Sequence, residues 1–120
     1  MTDPDLYIDD FFIEIKETFP SLLQLTTWKD CEDDPLGRYI ILEDIAEEMI
    51  VWTNKGFLLE TNRMLGFIEF HLGQGHPYVQ LLIQNNFLSC IAEIEDHQLK
   101  AKILEMMGTA TLSEYHKLED

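Results

Sequence analysis

Apolar residues recur along this sequence at the three- and four-residue spacing of an amphipathic α-helix. The clearest example spans residues 42–50, where one helical face would carry Leu42, Ile45, Ala46, Met49 and Ile50. The opposite face would carry four acids, Glu43, Asp44, Glu47 and Glu48. The only β-like run, residues 38–42, has no second strand with which to pair. The pattern therefore predicts an all-α fold.

The same spacing predicts the remaining helices. They are expected over residues 4–19, 57–72, 77–94 and 99–107, with weaker ones over residues 21–29 and after Gly108. The two most apolar of these, 57–72 and 77–94, would form the core hairpin. Because 120 residues suit one domain, we predict a single compact domain, residues 1–120, of about six helices packed as antiparallel hairpins.

The formal charge is the most unusual property of the composition. The chain carries 23 acids against 8 bases, a net charge of -15, while its 46% hydrophobic content argues for a folded protein. Residues 1–48 hold 14 acids and 3 bases, whereas the remaining 72 residues hold 9 acids and 5 bases. Such an acidic field repels phosphate backbones and anionic lipid headgroups. We therefore expect a basic protein partner, and no direct contact with nucleic acid or a membrane.

Targeting signals and cysteines add little. No basic segment followed by an apolar stretch opens the sequence, and no apolar run approaches the roughly 20 residues that span a bilayer. We expect a cytoplasmic protein. Cys31 and Cys90 do not form a C-x-x-C pair, so neither a disulfide framework nor a cysteine zinc site is expected.

The stretch FIEFHLGQGHP, residues 67–77, brings Glu69, His71 and His76 together in the sequence, as a metal or acid/base site would. Glu69 and His71 would lie about 200° apart around a helix axis, so they cannot share a metal ion. The two histidines alone would leave a zinc site incomplete. The stretch is instead predicted to be a helix end, a glycine turn and a new helix opened by Pro77.

Signatures of enzyme chemistry are equally weak. Glu93 and His97 are four residues apart, but Asp96 predicts that a helix ends between them, and no H-E-x-x-H motif is present. The sequence has no G-x-S-x-G elbow, and its GQGHP segment lacks the lysine of a phosphate-binding loop. We therefore predict that the protein is not an enzyme and has no catalytic residue, no metal and no cofactor.

The acids before residue 49 are the best candidates for a binding surface. A focused acidic face speeds the encounter with a basic partner. The alternative is a solvated face that serves solubility alone, but this concentration of charge costs self-repulsion that solubility does not require. The candidate interface residues come from the first helix, the connector over residues 30–37 and the helix after it: Asp9, Asp10, Glu14, Glu17, Asp30, Glu32, Asp33, Asp34, Glu43, Asp44, Glu47 and Glu48.

Two segments of the chain resemble a known family. FIEFHLGQGHPYVQLLIQNNFLSCI, residues 67–91, and FPSLLQL, residues 19–25, are similar to segments of small helical bacterial immunity proteins of polymorphic toxin and contact-dependent growth inhibition systems. The resemblance implies an intracellular inhibitor that binds one cognate toxin domain. Together with the charge, it predicts an immunity protein that occludes the active site of a basic toxin, with a ribonuclease favoured. The alternative is an acidic helical adaptor, or a nucleic-acid mimic, that binds a basic host protein.

Overall fold

The structure is a computed structural model that describes residues 4–31, 34 and 36–119. The α-helices are α1 (Pro4–Thr18), α2 (Thr26–Cys31), α3 (Gly37–Asn54), α4 (Leu58–Gln74), α5 (Pro77–Ile83), α6 (Ser89–Ala92), α7 (His97–Met106) and α8 (Thr109–Glu119). A 3-10 helix, Pro20–Gln24, follows α1, and a π-helical turn, Gln84–Leu88, joins α5 to α6. The described ranges contain no strand. The predicted all-α compact fold is confirmed.

The core is built from the apolar stripes that the sequence displays. Phe11, Phe12 and Ile15 of α1 are buried, and so is Phe19 just after it. The stripe of α3 is buried from Ile41 to Met49, and the helix begins at Gly37, so the β-like run over residues 38–42 is helical. α3 then ends at Asn54, where Gly56 adopts a positive φ of 87° that a glycine takes without strain.

The weak helix predicted over residues 21–29 is divided in two. Pro20 begins the 3-10 helix, and Leu25 is extended, with φ -63° and ψ 130°, before α2 starts. An extended residue cannot continue a helix, so Leu22 and Trp28 reach the core from two short elements rather than one. The prediction of one helix over residues 21–29 was therefore wrong.

The helix predicted over residues 77–94 contains a local irregularity. The π-helical turn Gln84–Leu88 interrupts it, and side chains there bond to backbone carbonyls one turn earlier. Asn86 Nδ2 donates to the carbonyl of Leu82 at 3.4 Å, and Ser89 Oγ donates to the carbonyl of Asn85 at 2.6 Å. The side-chain amide of Asn86 therefore has a hydrogen-bond partner one turn earlier in the chain.

α4 lies at the centre of the fold, in contact with α3, α5, α7 and α8. Its buried residues include Met64, Leu65, Ile68 and Leu72. Phe70 and Leu58 are exposed, so the neighbouring helices do not cover all of the apolar residues of α4. Within the described residues, no helix combines the length and the apolar character that crossing a membrane requires.

Candidate interaction surface

Glu69 joins α4 to the start of α8. Its carboxylate accepts hydrogen bonds from Ala110 N at 3.0 Å, Thr111 N at 2.8 Å and Thr111 Oγ1 at 2.7 Å. Burial acts to raise the pKa of Glu69, but the hydrogen bonds from the Thr111 hydroxyl and the two N–H groups outweigh it and lower the pKa below its ordinary value. The side chain thus caps the first turn of α8 from another helix.

Gly108 makes room for this cap. A Cβ at residue 108 would lie 2.8 Å from Glu69 Cγ and 2.5 Å from Oε1, well inside van der Waals contact. A side chain there would push the carboxylate away from the N–H groups that it binds. Gly108, which directly precedes α8, therefore helps to position Glu69.

His71 points away from Glu69, toward α1. Its Nε2 lies 2.7 Å from Glu14 Oε2, and its ring packs against Phe11, Phe67 and Phe70. His71 is buried, with 8% of the residue exposed. Glu14, a candidate interface residue, is therefore also a structural partner of the core.

His76 caps the start of a third helix, α5. Its Nδ1 accepts a hydrogen bond from Tyr78 N at 3.3 Å at the start of α5, and its ring stacks on Tyr7 of α1 at 3.6 Å between centroids. Thus Glu69, His71 and His76 reach α8, α1 and α5 respectively. In the part of the chain that the structure describes, no three His, Cys, Asp or Glu side chains come together in a way that could hold a metal ion.

The candidate acids of α1 fall on two sides of the helix. Asp10, Glu14 and Glu17 are exposed, whereas Asp9 forms an ion pair with Arg38 of α3. Leu6 and Ile13 are 56% and 50% exposed beside these acids. What we call the α1 stripe consists of Leu6, Asp10, Ile13 and Glu17. At 100° per residue, these four positions lie within about 60° of one another around the helix.

α3 carries a second stripe with the same spacing. Ile40 and Val51 are 47% and 41% exposed, and Asp44 and Glu47 lie between them. These four residues, which we call the α3 stripe, also fall within about 60° around the helix. Both stripes therefore contain two apolar side chains and two acids. The apolar members are not among the interface residues predicted from the sequence, although helical spacing applied to the acids would have found them.

Glu43 and Glu47 of α3 also act on Cys90 of α6. Burial, together with the smaller effects of the charges of Glu43, Glu47 and Glu93, raises the pKa of the Cys90 thiol to about 11. Glu93 thus belongs to the same acidic neighbourhood. From the sequence, Glu93 was only a possible partner of His97, because no pattern of neighbouring residues indicates that α3 packs on α6.

The connector contributes less to a continuous face. Asp30 is exposed, and Asp34 Oδ1 accepts a hydrogen bond from Leu36 N at 3.0 Å. Glu48 is half-buried on α3. Glu32 and Asp33 lie outside the described residues. The candidate acids that share a helical stripe with exposed apolar residues are therefore Asp10, Glu17, Asp44 and Glu47.

These features define the class of the protein as an all-α domain with acidic and apolar side chains side by side on two helical stripes. Residues 12–120 match a family described as Domain of unknown function (DUF7674), and the chain belongs to this family. No curated protein and no solved structure matches it.

Proposed function

We propose that this chain is a protein-binding inhibitor that engages a basic protein through the α1 and α3 stripes. In its specific form, the proposal is an immunity protein that neutralises a basic toxin domain, with a ribonuclease favoured, by covering the toxin's active site. The net charge of -15 supports a basic partner, since long-range attraction speeds association with a cleft that normally holds phosphates.

The observation that carries the proposal is the interleaving of acids with exposed apolar side chains. A face that served solubility alone would have no use for Leu6, Ile13, Ile40 and Val51 at the same angular positions as the acids. Protein interfaces combine apolar contacts, which supply affinity when desolvated, with charges that set specificity and association rate. Each stripe offers both kinds of side chain to one partner.

The proposed function is tested by expressing the product of the neighbouring gene alone and together with this chain. We expect the neighbouring product to kill cells when expressed alone and the cells to survive when this chain is coexpressed. We also expect this chain to abolish RNA cleavage by that product in vitro. A harmless neighbour would favour the adaptor interpretation, in which the acidic surface binds a basic host protein. Stable copurification without protection would exclude inhibition while preserving binding.

The role of the charges is tested with the double variant Glu17→Lys/Glu47→Lys, which reverses one exposed acid in each stripe. We expect the association rate to fall at least tenfold at low salt, and its salt dependence to flatten. The matched control is Glu95→Lys/Glu105→Lys, which makes the same charge change at two exposed positions outside the stripes. Equal effects of the two double variants would show that net charge acts without the stripes.

A further inference from the structure

A cavity of about 280 Å³ opens between α1, α2 and α3. Phe12 and Ile13 of α1, together with Ile41 of α3, supply apolar walls, and Trp28 of α2 also lines it. The volume suits a small molecule or one large side chain rather than a peptide. The cavity is lined mostly by residues outside the two stripes, since only Ile13 of their eight residues borders it.

The charged lining of the cavity differs from the rest of the molecule. The chain has 8 bases, and two of them, Lys16 and Arg38, meet here with a single acid, Asp9. Asp9 pairs with Arg38 through Nη2, and a guanidinium has five N–H donors, so further acceptors can bind to the same group. In a protein with a net charge of -15, this cavity is lined by more bases than acids.

Trp28 supplies an independent observation. The residue is 2% exposed, and its indole N–H has no hydrogen-bond partner within the described residues. A buried donor without an acceptor costs about 1–3 kcal/mol, so such groups usually have a partner in the functioning molecule. Phe12 packs edge-to-face against the indole at 6.0 Å between centroids, which places two aromatic rings beside the cavity.

We propose that this cavity binds a small aromatic monocarboxylate. The apolar body of the ligand would pack against Phe12, Ile13 and Trp28, and its carboxylate would accept hydrogen bonds from Arg38 and Lys16. The cavity shares Ile13 with the α1 stripe, but ligand binding is measured on this chain alone, so the test does not depend on the proposed inhibition of a toxin.

Phenylacetate is the probe, and fluorescence of Trp28 reports its binding. The variant Trp52→Phe leaves Trp28 as the only tryptophan of the chain. We expect a saturable change in emission with a Kd of roughly 0.1–1 mM, the range for a ligand of about ten heavy atoms. Phenylacetamide, which has the same shape without the charge, should bind at least tenfold more weakly.

Two further variants separate binding in the cavity from binding elsewhere. In the Trp52→Phe background, Arg38→Gln should weaken phenylacetate binding at least tenfold, whereas Arg63→Gln, an arginine outside the cavity, should leave it unchanged. Ile13→Phe adds bulk at the mouth of the cavity, at a position 50% exposed, and should block binding without disturbing the core. Circular dichroism checks that each variant is folded.

The proposal is overturned if phenylacetate produces no saturable change up to about 10 mM, the limit for a ligand of this size. It is also overturned if phenylacetamide binds as well as phenylacetate, or if Ile13→Phe binds like its parent. Should Arg38→Gln fail to fold, Ile13→Phe and the amide decide the question alone.

Discussion

The carboxylate of Glu69 connects two helices through residues 41 and 42 positions apart in the sequence. Replacing it by glutamine keeps the shape but removes the charge, and places an amide donor where N–H and O–H donors already converge. We expect Glu69→Gln to lower the free energy of unfolding by about 2 kcal/mol, the scale of hydrogen bonds to a charged group. Urea unfolding followed by circular dichroism measures it.

The pH dependence of this effect has a definite sign. Because the folded pKa of Glu69 is lowered, its contribution is fully present above the ordinary glutamate pKa, about 4.3, and is lost as the pH falls through the lowered folded value. The stability gap between the wild type and Glu69→Gln should therefore be constant near neutral pH and shrink in acid. A gap unchanged down to pH of about 2 would contradict the assignment.

Gly108 gives a second prediction at the residue scale. Gly108→Ala places a Cβ against the Glu69 side chain, so it should displace the carboxylate and lose most of the same stabilisation. In the Glu69→Ala background the added methyl meets no carboxylate, and Gly108→Ala should then cost little. A double-mutant cycle by urea unfolding measures this coupling, and additive effects would mean that the glycine acts independently of Glu69.

At the scale of elements, the packing of α3 on α6 predicts the reactivity of Cys90. With a pKa of about 11, only about one thiol in a thousand is ionised at pH 8, and its Sγ also lies 3.7 Å from the carbonyl of Asn86. In a Cys31→Ser variant, we expect a disulfide reagent to label Cys90 at least about a hundredfold more slowly in the folded than in the unfolded protein.

The matched test of the acidic neighbourhood is Glu43→Gln/Glu47→Gln in the same Cys31→Ser background. Removing two charges that raise the pKa of Cys90 should lower that pKa and speed labelling several-fold, while burial persists. As a control, Glu95→Gln/Glu105→Gln removes two charges that are not among those acting on Cys90. If both pairs speed labelling equally, the effect comes from net charge and not from α3.

Local patterns account for what the sequence could predict about the elements. The bounds of α1, α4 and α7 lie within about two residues of the prediction, because apolar spacing and end signals are properties of neighbouring residues. The hydrogen bond between His71 and Glu14 links residues 57 positions apart, and no spacing rule reaches that far. The acidic residues of the candidate surface could therefore be selected from the sequence, whereas the residues that they contact in the folded protein could not.

At the scale of the whole molecule, the charge acts against the fold that carries it. Residues 1–48 hold 14 of the 23 acids. Like charges so near to one another repel more strongly in the compact state than in the unfolded chain. Salt shortens the range of this repulsion, to about 10 Å at 0.1 M and about 3 Å at 1 M. We therefore expect the melting temperature to rise with sodium chloride between roughly 20 and 500 mM.

The location of the charge makes this a test of the surface as well. Glu17→Gln/Glu47→Gln removes one acid from each stripe and should raise the melting temperature at low salt by about 2–4 °C, while reducing its dependence on salt. Glu95→Gln/Glu105→Gln removes the same charge elsewhere, and Glu95 lies just before α7, where an acid is favourable to the helix N-terminus, so little gain is expected. If the stripe acids are retained for a partner, the stabilised variant should also associate more slowly with it. A variant that gained stability and lost nothing in association rate would show that the stripe charges serve no basic partner.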